Sequence, residues 1–192
     1  AMLTNYRDIP NIKTNAPTRG KLVLDFLTGN PNPASYLEAL NSDSKRFNGY
    51  NILLGSFQDP WYFSNQKNNI YRLGTGSYGL SNALLDTDWP KVTEGKKVFN
   101  EIISQPNFKV DELFNMMRDR TEATDDKLPD TGIGYEKEKQ LSSRFILMDG
   151  YGTRNTTVLT LDKKNRVVIK ERTFNTTDQS FSDHEIGFTL NT

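Results

Sequence analysis

The apolar positions of this chain change period several times along its length, and each change marks an element. Over residues 17–27 hydrophobic side chains recur at helical spacing, at Leu22, Val23, Phe26 and Leu27, with Pro17 near the start and Gly29 as a stop. A second short helix is predicted after Asn32, whose side chain can cap it while Pro33 takes the first helical position, and it runs through Tyr36, Leu37 and Leu40. The Asn48-Gly49 turn signal precedes an apolar, partly branched run over 50–57 that suits a buried strand. Shorter runs at 61–64 and 69–73 complete a small antiparallel meander.

From 88 to 104 the period is helical again, with Pro90 in the first turn and Val92, Val98, Phe99, Ile102 and Ile103 on one side, until Pro106 ends it. Residues 110–120 form another amphipathic helix through Leu113, Phe114, Met116 and Met117. Residues 121–140 are polar and charged, broken by Pro129, Gly132 and Gly134, and read as a long surface loop. Strands are predicted at 143–148, 156–162 and 166–174, the last two joined as a hairpin through Lys163-Lys164-Asn165, and a final strand at 185–190 closes the edge.

Strands and helices come in blocks, without βαβα alternation. That order favours antiparallel sheets layered with helices, an α+β class, in one domain over residues 1–192.

Composition narrows the partners. With 192 residues, 35% hydrophobic and 11% aromatic, the chain can build a real core. Its 24 basic residues balance 24 acidic ones without a basic helix-length stretch, so a dedicated nucleic-acid footprint is missing. No apolar run reaches the length of a bilayer span and the start has no signal-peptide core, which predicts a cytoplasmic protein. Zero cysteines exclude a disulfide framework, a Cys-ligated zinc and a cysteine nucleophile from within these residues. The sequons at Asn155 and Asn175 matter only in a secretory compartment.

Several motifs are weaker than they look. Gly74-Thr75-Gly76-Ser77-Tyr78-Gly79 matches the dinucleotide fingerprint literally, but residues 80–86 lack the capped helix that would present amides to a pyrophosphate. Ser77 and Ser81 lack nucleophile-elbow spacing, and His184 is the single histidine available as a base. Asp125, Asp126 and Asp130 fit no EF-hand loop, so no metal site is assigned. Asn5, Asn82 and Arg154 differ, because a carboxamide can donate to a developing oxyanion and a guanidinium can hold a carboxylate or order a nucleophile's surroundings. On composition alone, turn-forming Asn and surface Arg are the ordinary reading of these three.

Three motifs carry a resemblance: Leu3-Thr4-Asn5-Tyr6, Tyr78-Gly79-Leu80-Ser81-Asn82-Ala83-Leu84-Leu85 and Tyr151-Gly152-Thr153-Arg154. Together with Phe47-Asn48-Gly49-Tyr50-Asn51, Asp88-Trp89-Pro90-Lys91 and Glu171-Arg172, in that order along the chain, they resemble the NRDE family, that of the transport and Golgi organisation 2 protein. Members normally begin with Met-Cys followed by an Asn-Arg-Asp-Glu motif. Neither occurs here, so the resemblance implies that an N-terminal segment of the family lies outside this sequence.

The family is in turn similar to N-terminal-nucleophile hydrolases, which implies an αββα sandwich and an attack on an amide carbonyl by a residue at the chain start, with its free α-amino group as base. The resemblance assigns Asn82 and Asn5 to oxyanion stabilisation or substrate positioning and Arg154 to ordering the nucleophile site, with Tyr6, Ser81 and Thr153 beside them as ligand contacts. It implies a small-molecule substrate or ligand, and hydrolysis of a linear amide only when the cysteine is supplied. A second expectation is a haem- or lipid-related binding and trafficking protein without hydrolysis. No cofactor is then required, although haem as a ligand could draw on His184, the four Met residues and the Tyr residues. A third is a structural domain without activity. Fold likeness alone does not choose among them.

Overall fold

A computed structural model describes residues 1–175 and 177–190, so Thr176 of the second sequon lies outside the described residues. The protein is mixed α/β, with antiparallel sheets and, among the described residues, five α-helices. It divides into two compact units, Ala1–Asp88 with Pro129–Gly134, and Trp89–Leu128 with Tyr135–Thr192.

The first unit is built on a four-stranded antiparallel sheet in the order β1 (Met2–Asn5), β2 (Tyr50–Gly55), β3 (Pro60–Ser64), β4 (Asn69–Arg72). Side chains alternate across a strand, so Tyr50, Ile52 and Leu54 share one face while Asn51 and Leu53 share the other. The first face is the core: these three and Phe63 bury against Leu22 and Phe26 of α1 (Gly20–Gly29) and Leu37 and Leu40 of α2 (Pro33–Ser42). Strand β2 stops at Gly55 because its φ of 120° and an imagined Cβ only 2.2 Å from the Asp59 carbonyl oxygen admit no other residue without strain. The predicted strand to residue 57 is therefore two residues too long. Asn32 caps α2, accepting from Ser35 N at 3.2 Å. Helix α1 begins three residues later than its period indicated and ends on Asn30, which takes the left-handed conformation expected one residue earlier of Gly29.

The second unit has α3 (Pro90–Ile103), α4 (Val110–Met117) and α5 (Tyr135–Gln140), a short β5–β6 hairpin (Leu147–Met148 and Tyr151–Gly152), and a three-stranded sheet β7 (Asn155–Leu161), β8 (Arg166–Phe174), β9 (Phe181–Thr189). Pro90 opens α3 as predicted, and Glu112 accepts from Lys109 N at 2.7 Å to close the first turn of α4. Leu113, Phe114, Phe145 and Phe174 are buried in it, the last two with their rings edge to face at 4.7 Å.

Three further segments depart from the sequence pattern. The presumed loop over 121–140 ends in α5, whose Glu and Lys residues hid its helical character behind polarity. The strand expected over 143–148 is only Leu147–Met148, since Ser143 Oγ turns back to the Phe145 carbonyl at 2.8 Å and breaks extension. The last strand starts at Phe181, four residues early, because it pairs with the whole of β8.

Candidate functional site

The second face of the first unit's sheet carries polar groups under an irregular segment, residues 79–87. That segment is closed on itself. Asp86 N donates to the Gly79 carbonyl at 2.8 Å, and Gly79 N donates to Asp86 Oδ1 at 2.7 Å. Asp86 takes a φ of 56°, which the turn back to Gly79 requires.

Three side chains of the sheet fix this closed segment in place. Thr4 Oγ1 donates to the Ser81 carbonyl at 3.0 Å. Asn51 Nδ2 donates to the Ala83 carbonyl at 2.9 Å and to Thr4 Oγ1 at 3.1 Å. Tyr62 OH donates to Asn51 Oδ1 at 2.7 Å and accepts from Leu85 N at 3.0 Å. Asn51 is fully buried, yet both its amide protons and its oxygen are satisfied, which is what a polar group needs to sit inside a sheet without cost. Burial pushes the Tyr62 phenol up, so it stays protonated and keeps its donor role.

Asn82 lies in the middle of the pinned segment. Its Nδ2 donates to the Asn5 carbonyl at 2.9 Å, and its own carbonyl accepts from Arg7 N at 2.7 Å. One proton of the carboxamide is thus held, and the second has no hydrogen bond among the described residues. The Asn5 side chain projects from the end of β1, exposed, next to half-buried Tyr6. Tyr6 N donates to the Gly49 carbonyl at 2.9 Å, and a Cβ at Gly49 would lie 2.9 Å from Tyr6 Cβ, so the turn must be glycine for β1 to end where it does. Ser81 is half-buried and engages Thr4 through its carbonyl.

The unit therefore brings together four of the six expected positions, Asn5, Tyr6, Ser81 and Asn82. Thr153 and Arg154 belong to the second unit. Thr153 closes the β5–β6 hairpin, its N donating to the Ile146 carbonyl at 2.8 Å and its Oγ1 accepting from Ile146 N at 3.0 Å. Arg154 is exposed, and its carbonyl accepts from Phe174 N at 2.9 Å.

Alternative motifs resolve into local structure. The glycine-rich stretch folds back on itself through Tyr78 OH to the Gly74 carbonyl, 3.1 Å, and the next helix begins only at Pro90. His184 is exposed in mid-β9, opposite Glu171. Asp125 bonds Lys139 Nζ at 2.5 Å, which holds its carboxyl below the usual range.

A groove of about 1070 Å³ lies on the first unit, lined by Leu53, Phe57, Leu73, Leu80 and Leu85 among others. Sequence reasoning missed it, and missed Asn51 and Tyr62. The available signal for Asn51 was a carboxamide inside the apolar run 50–57, where an unpartnered amide would be costly.

These features define a mixed α/β protein whose antiparallel sheet carries a pinned, polar segment next to a groove. The model of the family Transport and Golgi organisation 2 matches residues 1–176, and the chain belongs to that family. It is 31% identical to the bovine Transport and Golgi organization protein 2 homolog, over 90% of this chain and 67% of that protein. It is 30% identical to the mouse homolog over 98% of this chain and 73% of that protein, and 31% identical to the human one over 94% and 70%.

Proposed function

We propose that the chain contributes the later half of a site like that of N-terminal-nucleophile hydrolases, acting on a linear amide bond. Asn82 supplies a carboxamide proton to the developing oxyanion, with Asn5 positioning the substrate. The observation that supports this reading is the geometry of Asn82. Its amide is oriented by the Asn5 carbonyl, its backbone is held by Arg7, and one proton is left to donate. A donor fixed before the reaction is worth far more than one that must reorganise. The chain itself holds no cysteine, so the attacking sulfur has to come from residues outside this sequence.

The test is amine release from a panel of N-acyl amides. The chain alone releases none. Joined behind a Met-Cys and Asn-Arg-Asp-Glu segment of the family, it does, and changing the cysteine of that segment to serine abolishes release. No release from the joined protein on any amide rejects the reading.

A second reading, binding of a haem- or lipid-related ligand without hydrolysis, is favoured by the groove, whose volume matches the upper end of small-molecule pockets, roughly 1,000 Å³. A saturable shift of the haem absorption band on titration supports it, and an unchanged band counts against it.

A further inference from the structure

Asn48-Gly49 is the one Asn-Gly pair in the chain, and its side chain does more than form a turn. The Asn48 carboxamide grips the backbone of a residue 35 positions away. Lys13 N donates to Asn48 Oδ1 at 2.7 Å, and Asn48 Nδ2 donates to the Lys13 carbonyl at 3.1 Å. The lysine side chain reinforces this contact, its Nζ donating to the Lys45 carbonyl and, at 3.4 Å, to the Phe47 carbonyl. Residues 7–13 thus form a strap within the first unit. It is held at Arg7, whose N donates to the Asn82 carbonyl at 2.7 Å, at Ile9, whose N donates to the Thr131 carbonyl at 3.1 Å, and at Lys13.

The same pair can react with itself. In an Asn-Gly sequence the glycine nitrogen attacks the asparagine Cγ, because no side chain on the glycine stands in the way. The new N–Cγ bond closes a succinimide and the Cγ–Nδ2 bond breaks. The amide nitrogen leaves as ammonia, taking up the proton that the attacking nitrogen gives up, and water then opens the ring to aspartate or isoaspartate. In this fold the two reacting groups are held differently. Gly49 N makes no hydrogen bond among the described residues, while the Gly49 carbonyl accepts from Tyr6 N at 2.9 Å and from Arg19 Nη1 at 2.6 Å. The nucleophile is therefore unengaged, and the electrophile is tied at both ends of its carboxamide. Two bonds to one residue restrict the rotation that attack requires, and the departing Nδ2 must also give up its own.

We propose that Asn48 is a deamidation site restrained by the Lys13 backbone, and that its conversion loosens the strap over residues 7–13. Neither product keeps the amide nitrogen that donates to the Lys13 carbonyl, and both place a carboxylate where that donor stood. The isoaspartate also lengthens the main chain at the turn whose carbonyls, Asn48 and Gly49, accept from Asn65 Nδ2 at 3.2 Å and from Tyr6 N. This chemistry depends on neither amide hydrolysis nor ligand binding in the groove.

Ageing of the full 192-residue chain in mildly alkaline buffer, with mass mapping of the tryptic peptide over residues 47–67, tests the site. Deamidation at Asn48 should run about tenfold slower in the native protein than in concentrated urea, where both bonds to Lys13 are gone. In native buffer, Lys13→Pro, which removes the N–H donor, should react about fivefold faster than Lys13→Ala, which removes only the ammonium. The deamidated fraction, separated on anion exchange by its added negative charge, should show faster hydrogen exchange over residues 9–13 than the unreacted protein. Equal rates in native buffer and urea overturn the restraint, as do equal rates in the two folded variants. Unchanged exchange over residues 9–13 after deamidation overturns the release of the strap.

Discussion

The two units hold their sheets with different chemistry. In the first, Thr4, Asn51 and Tyr62 tie residues 81–85 to the sheet through neutral amides and hydroxyls, each making at least two hydrogen bonds. In the second, Arg172 does the comparable work, with Lys170 Nζ also 3.5 Å from Asp183 Oδ2. Arg172, 7% exposed, sends Nε and Nη2 to the two oxygens of Asp183 at 2.8 and 2.9 Å and Nη2 to Asp111 at 3.0 Å. Its guanidinium lies between the rings of Phe114 and Phe181, at 4.4 and 4.0 Å from their centres. That arrangement joins α4 to β8 and β9. The bonds from Thr4, Asn51 and Tyr62 come from neutral groups and do not depend on a carboxylate's charge. An ionic clamp is stronger per contact but titrates, whereas amide and hydroxyl donors keep their position when carboxylates change charge.

The comparison can be broken most severely at Asn51. Asn51→Ala leaves Tyr62 OH, Thr4 Oγ1 and the Ala83 carbonyl without their partner, and should cost on the order of 4 kcal/mol in chemical denaturation. Next comes Asp183→Asn, which removes the bidentate acceptor from a buried guanidinium and should cost about 2 kcal/mol, with little effect on residues 79–87 by hydrogen exchange. A smaller change of opposite sign is expected at Tyr50, whose buried hydroxyl has no hydrogen-bond partner among the described residues and whose phenol is pushed up strongly by burial. Tyr50→Phe should stabilise the protein by about 1 kcal/mol, read as a higher denaturation midpoint.

The smallest effect sharpens the contrast through pH. The hydrogen bond from Arg172 holds the Asp183 carboxyl below the usual range. A depressed folded value means that the stability Asp183 contributes is present above the ordinary aspartate pKa, near 4, and is lost as the pH falls through the folded value. The β8–β9 amides should therefore lose exchange protection below about pH 4 in the native protein, and the loss should shrink in Asp183→Asn. Protection at residues 81–85, held by Thr4, Asn51 and Tyr62, should not follow the same titration.

Much of the fold was legible because local rules agreed with it. Pro33 after Asn32, Pro90 at the head of α3 and the Lys163-Lys164-Asn165 turn between β7 and β8 each have one good solution, and the structure adopts it. What escaped was set by partners distant in sequence. Strand β1 is only four residues long and is a strand because it pairs with β2 nearly fifty positions away. The length of β9 was invisible because its polar and charged residues are supported by β8 and Arg172 rather than by an apolar period. At the site, the residue types at Asn5 and Asn82 were readable from motifs, but the side chains that position the segment, Asn51 and Tyr62, are strand residues whose role exists only after β2 and β3 have paired.

The central claim is that Asn82 is a fixed donor for the reacting carbonyl, and its most direct test is steady-state kinetics of Asn82→Ala in the chain joined to a cysteine-bearing N-terminal segment of the family, with folding verified by circular dichroism. The account predicts that kcat falls by about 10²–10³ while KM changes little, as loss of one oxyanion donor does. An unchanged kcat in the folded variant would contradict it.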